Sequence, residues 1–138
     1  MSDWIGVPDN IEDYLGFIYV ITHVESGAYY IGKKQTTRKL RRKPLKGQKR
    51  VRICHVESDW KTYWGSSKTL LEAVEKHGED AFERRIVRLC KSKFELSYEE
   101  LKLQMQYNVL DDPLSFNGIL NVRLSKPVGN PIEGTDDE

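Results

Sequence analysis

Two tyrosines stand out for their placement. Tyr19 lies in Phe17-Ile18-Tyr19-Val20-Ile21 and Tyr30 in Tyr29-Tyr30-Ile31-Gly32, with ten residues between them. The first run is β-branched and aromatic throughout, the pattern of a strand buried on both faces. Glu25-Ser26-Gly27 carries turn residues, so the two runs read as a hairpin with one phenol on each strand. A phenol titrates near pH 10 and is a poor base at neutral pH, but neighbouring cations favour its phenolate. Lys33 and Lys34 follow immediately and are expected to supply that charge.

These lysines open a strongly basic stretch. Residues 33–52, KKQTTRKLRRKPLKGQKRVR, hold eleven of the 22 Lys and Arg and none of the 21 Asp and Glu, so the +1 net charge conceals one positive patch on an otherwise acidic chain. Such asymmetry calls for a polyanionic partner. Pro44 and Gly47 argue for an extended loop here. Cations on such a loop bind phosphates without reading sequence, with Lys33, Lys34, Arg38, Arg42, Lys46, Lys49 and Arg50 as the contacts. A solvated loop is the plainer reading, but unrelieved like charges oppose it.

The elements around these residues follow from local patterns. Ser67 caps a helix from Lys68 to a stop at Gly78, with Leu70, Leu71 and Val74 on one face. Phe82 to Cys90 reads as a third strand. Ser97-Tyr98-Glu99-Glu100 opens a second helix with Tyr98, Leu101, Met105 and Val109 in register, and Ser97-x-x-Glu100 is a capping-box pattern. Asn117-Gly118 turns, and Ile119 to Leu124 reads as a short strand. The expected organisation is a polar lead-in over 1–15, one domain over 16–124 and a flexible acidic tail over 125–138. No apolar run is long enough to span a membrane and the N-terminus lacks a secretory pattern, so a cytoplasmic protein is expected. Cys54 and Cys90 read as free thiols; with His55 and His77 they lack the paired spacing of a zinc site.

Gly16-Phe17-Ile18-Tyr19 and Tyr30-Ile31-Gly32 resemble the two half-motifs of the GIY-YIG nucleases, with one extra residue in the first. The resemblance spans about residues 16–121. It implies an α+β fold: a small, mainly antiparallel three-stranded sheet flanked by helices, with the basic loop inserted after the second strand. Cutting a phosphodiester needs an activated water and neutralisation of charge on the phosphate. The resemblance assigns that work to Tyr19, Tyr30, a cationic side chain and a glutamate holding one divalent metal. Glu100 is the expected ligand over Glu99, and a lone carboxylate with several waters suits Mg²⁺, with Mn²⁺ as an alternative.

The expected arginine is less well defined. Position 40 is Leu40, with Arg38, Arg41 and Arg42 around it; Arg41 is the choice and Arg84 the outside candidate. Asn117 occupies the place of a polar family residue. Trp60, Tyr63 and Trp64 are candidates for stacking on bases, although large aromatics more often fill cores. Gly65-Ser66-Ser67 at a helix start is a minor phosphate-binding candidate. Ser-Asp-Trp-Lys-Thr-Tyr-Trp-Gly-Ser-Ser looks like small phage proteins of this family regarded as homing endonucleases, which implies a host cytoplasm. The implied function is metal-dependent hydrolysis of DNA. The alternative is a non-catalytic nucleic-acid-binding module on the same scaffold. Nothing calls for an obligate protein partner.

Overall fold

The computed structural model describes residues 3–120. In chain order these form β1 (Trp4–Ile5), β2 (Gly16–His23), β3 (Tyr29–Gln35), β4 (Thr37–Arg42), β5 (Arg52–Glu57), α1 (Lys68–His77), β6 (Phe82–Cys90) and α2 (Lys93–Gln106). The main sheet runs β1-β6-β2-β3. Its three long strands are antiparallel neighbours as expected, and the short β1 adds a parallel edge beside β6.

β2 is interior, which explains its unbroken apolar run: it buries residues on both sides of the sheet. Phe17, Tyr19 and Ile21 pack with Trp60, Leu70, Val74, Phe82 and Ile86 on one face. Ile18 joins Tyr29, Ile31, Cys90, Leu96, Leu103 and Val109 on the other. Each face therefore receives one helix, α1 through Leu70 and Val74, α2 through Leu96 and Leu103. The hairpin turn places Gly27 at φ +81°, where a side chain would be strained.

Helix α1 begins and ends where expected: Ser67 Oγ accepts from the Leu70 amide at 3.3 Å, and Gly78 stops it at φ 88°. Helix α2 starts earlier than expected. Its cap is Ser92, whose Oγ accepts from the Glu95 amide at 3.1 Å while Glu95 Oε1 accepts from the Lys91 amide at 2.7 Å. The capping box is thus Ser92-x-x-Glu95, and Ser97 and Glu100 lie inside the helix. Its inward stripe is Leu96, Glu100, Leu103 and Gln104, at the spacing of one helical face; Tyr98 and Met105, expected inside, are exposed.

Two further expectations change. β3 runs beyond the Tyr29-Tyr30-Ile31-Gly32 stretch, through Lys33 and Lys34 to Gln35. The basic segment is not an extended loop: after β3 it folds into a two-stranded antiparallel ribbon, β4 with β5, and Pro44 and Gly47 belong to its tip. Runs of Lys and Arg masked the alternation that would have revealed these strands. The ribbon's root is tied down by Thr36, whose hydroxyl donates to the Tyr14 carbonyl at 2.8 Å, and by Ser58, which donates to the Gln35 carbonyl at 2.6 Å.

The free edge of β3 is blunted by residues 114–117. The Phe116 amide donates to the Tyr29 carbonyl at 2.7 Å. Asn117 then mimics a strand, accepting from the Ile31 amide at 2.9 Å and donating to the Ile31 carbonyl at 2.8 Å. Its expected place in the site is therefore a structural one. Ile119 and Leu120 adopt no strand, and the rest of that expected strand and the 125–138 tail lie outside the described residues. Cys54 and Cys90 are free, and no metal-binding group of three or more His, Cys, Asp or Glu occurs among the described residues. No helix of the described residues is long and apolar enough to cross a membrane.

Candidate active site

Tyr19 is the centre of the site. Because β2 is interior, the ring is enclosed by Trp4 at 5.3 Å, Tyr63 at 6.1 Å and Tyr30 at 6.2 Å between centroids, leaving the residue 1% exposed. The Tyr63 ring stands edge-on to it at 84°. Directly across the β2–β3 ladder stands Gly32. A Cβ there would lie 2.5 Å from the Tyr19 hydroxyl oxygen and 2.8 Å from Tyr30 Cε2. Gly65, at φ +91°, approaches the same hydroxyl from the start of α1, where a Cβ would fall at 3.3 Å. Tyr30 is half-buried two residues before Gly32 on the same face, and its hydroxyl lies 3.5 Å from Ser66 Oγ.

The two lysines after Gly32 alternate across the strand, as the pleat requires. Lys34 turns to the phenol face: its Nζ is 2.6 Å from Asp59 Oδ1 and 4.1 Å from the Tyr63 ring centroid. Lys33 turns to α2, donating to Ser97 Oγ at 2.9 Å and lying 3.9 Å from Glu100 Oε1. Glu100 comes from the helix on the opposite face to the phenols. It nevertheless meets Lys33 on the outermost strand, and its charge reaches both Tyr19 and Tyr30. The phenols and the carboxylate therefore flank β3 from its two faces, with Gly32 and Lys33 between them. Glu99 instead faces Arg88, 3.6 Å from its Nε.

Burial governs the ionisation of this group. It pushes the Tyr19 phenol far above its ordinary value, and the Tyr30, Tyr63 and Glu100 charges add to the rise. Tyr30 is raised by burial and by Glu100, with Ser66 opposing. Glu100 is itself raised by burial, partly offset by Lys33. The expectation that Lys33 and Lys34 lower the phenols is therefore corrected: each is engaged with a carboxylate, and burial outweighs both.

Beside the site, between the ribbon root and the start of α2, opens a cleft of about 680 Å³. Lys33, Lys34, Arg38, Lys39 and Lys93 line it, with Asp59 as the only acid among the described residues there. Lys34 first, and Arg38 to a lesser degree, hold the Asp59 carboxyl below its usual range. Arg38, not Arg41, belongs to this cleft. Arg41 is exposed three residues further along β4, roughly 10 Å at strand rise and on the opposite face. Arg42 is exposed at the end of β4, and Lys46, Lys49 and Arg50 are exposed in the tip.

Arg84 is structural. Its buried guanidinium lies 4.6 Å from the Trp4 ring centroid and 4.3 Å from that of Trp64, and donates to the Tyr63 carbonyl at 2.7 Å. Trp60, 5% exposed, packs edge-on against Phe17, and Trp64 packs on Phe82 and Arg84, so both serve the fold rather than stacking on bases. Tyr63, expected from the sequence only as a base-stacking candidate, instead packs against Tyr19 and Lys34. The signal for its place beside Tyr19 was its position just ahead of Gly65-Ser66-Ser67, the segment that meets Tyr19 and Tyr30.

The family model described as "Putative endonuclease segE, GIY-YIG domain" matches residues 4–120. The chain belongs to the GIY-YIG family. Its fold and its nuclease character follow from that membership. No curated protein and no solved structure matches. In GIY-YIG terms, the first half-motif places its tyrosine in the most buried strand, and the second supplies the glycine that leaves this tyrosine room. Gly16, despite the extra residue after it, also has no space for a side chain: a Cβ would lie 2.5 Å from the Lys34 carbonyl oxygen.

Proposed function

We propose that this GIY-YIG chain is a metal-dependent endonuclease that hydrolyses DNA phosphodiester bonds. The observation that carries the reading is the cluster of the Tyr19, Tyr30 and Tyr63 rings on one face of the sheet, with Gly32 and Gly65 close against the Tyr19 hydroxyl and Glu100 beside Lys33 on the other face of β3. The donor set fits a Mg²⁺ ion, with Mn²⁺ as an alternative. Glu100 is a lone carboxylate, 13% exposed, raised by burial and met among the described residues by Lys33 at 3.9 Å. Such a carboxylate suits a cation that keeps most of its waters. When bound, the ion supplies charge neutralisation at the phosphate.

The remaining roles belong to the chain itself. Tyr30, the more accessible phenol, orients the attacking water and receives its proton; Tyr19, packed between Tyr30 and Tyr63, forms the wall that fixes it. In this reading Arg38 takes the phosphate-neutralising place first expected of Arg41, because it lines the cleft that Lys33 and Lys34 share with the site. The ribbon cations hold the flanking backbone.

One observation favours a second reading, a DNA-binding module without turnover: both phenols are raised, which disfavours the base form. Supercoiled plasmid incubated with the purified chain decides between them. Nicking that requires Mg²⁺ or Mn²⁺ supports the nuclease; tight binding with no nicking in either metal supports the module.

A further inference from the structure

Among the described residues, the β4–β5 ribbon pairs with no other strand. An isolated two-stranded ribbon is marginal in water, and this one adds Arg42 directly opposite Arg52, a repulsive pair. The ion pairs of the described residues involve none of its arginines or lysines. Its one carboxylate, Glu57, sits at the root and faces Lys61 at 3.3 Å. A ribbon built this way is completed by an anion.

The distribution of side chains narrows what that anion is. From the register, Arg38, Arg42 and Arg52 share one face, and Lys39, Arg41 and His55 share the other. A ribbon lying against the outside of a backbone needs cations on one face only. Cations on both faces match a groove, which has a wall of phosphates on each side. A two-stranded ribbon is one of the two elements that the B-DNA major groove, about 12 Å wide, admits. Ile53, directly opposite Arg41, is 56% exposed, an apolar side chain set among cations. In a major groove that neighbour set has a use: a guanidinium reads guanine and an aliphatic group meets the thymine methyl.

We propose that the ribbon enters the major groove of duplex DNA and reads base edges there, with Arg41 and Ile53 as reading residues and the other cations on the groove walls. The cleft at its root then carries the adjoining backbone toward Glu100. Arg41 thereby gains a function that its distance from the cleft leaves open. The DNA substrate comes from the reading above, but the proposal is tested by binding alone, without metal.

The experiment is selection of bound duplexes from a randomised DNA pool, followed by affinity measurements on the selected site and on an unrelated one. Wild type should enrich a defined sequence and bind it at least about tenfold more tightly than unrelated duplex. Arg41→Lys keeps the charge but loses the two-pronged contact, so it should retain unrelated-duplex binding and lose that preference. Ile53→Ala should reduce the preference in the same way. Both sites are exposed, and unchanged melting temperatures confirm intact folding. A matching RNA duplex, whose A-form major groove is too deep and narrow, should bind at least about tenfold more weakly. No enrichment by wild type, a preference unchanged in both variants, or equal binding of the RNA duplex would overturn the proposal. A chain that selects a sequence yet never cuts would sink the nuclease reading and leave this one standing.

Discussion

Gly32→Ala isolates what the second half-motif does. Gly32 has an ordinary strand backbone, so the substitution adds no conformational strain and its whole effect is steric. The new methyl would lie 2.5 Å from the Tyr19 hydroxyl oxygen and 2.7 Å from its Cζ. Against an ordinary non-bonded separation of about 3.5 Å, one of the two must move by roughly 1 Å. Tyr19 has no free direction, being enclosed by Trp4, Phe17, Tyr30 and Tyr63. Overpacking of this kind costs about 1–3 kcal/mol. In a chain of this size that is a drop of roughly 3–12 °C in melting temperature. A displacement of about 1 Å at a reacting group costs about 10²-fold in rate. Gly118→Ala is the control, since a Cβ there meets nothing within 4 Å. Thermal melts and plasmid nicking on both variants make the test. If Gly32→Ala melts and cuts like Gly118→Ala, the close approach to Tyr19 is not what the glycine is for.

Glu100→Gln should slow cleavage at least ~10²-fold without lowering the melting temperature at pH 7. The folded-state pKa of Glu100 is raised by burial, so its stability contribution is full below its unfolded pKa and lost as pH rises through the folded value; the neutral amide removes that cost. Glu95→Ala should do the reverse, losing about 1 kcal/mol of stability with cleavage intact, because Glu95 is in the capping box. The nicking rate should climb about tenfold per pH unit through the neutral range, since the Tyr30 phenolate grows with pH and burial raises that phenol above its ordinary value; a maximum near pH 7 would exclude a phenol as base. Arg84→Met should cost about 1–3 kcal/mol in urea melts by stranding the Lys61 and Tyr63 carbonyls, and should slow cleavage by releasing Tyr63.

Several features were determined by the sequence alone, because their causes lie within a few residues. The hairpin with Tyr19 and Tyr30, the β6 strand and helix α1 with Ser67 and Gly78 at its ends follow from periodicity and turn chemistry. The concentration of charge in residues 33–52 likewise needed only counting. Helix α2 marks the limit of such reasoning. Ser92-x-x-Glu95 and Ser97-x-x-Glu100 carry the same local signature five residues apart, and only packing of Leu96 and Leu103 on the sheet chooses between them. That choice moved Glu100 from a cap to the inward face beside Lys33. The ribbon was hidden for a related reason: its strands are defined by pairing with each other rather than by an apolar face. The phenol ionisation depended on burial, which no run of neighbouring residues reveals, and it reversed the effect expected of Lys33 and Lys34. Tyr63, Arg84 and Asn117 acquired their roles from partners 21 to 86 residues away. Such contacts exist only once the chain has closed, and so the tertiary structure decided them.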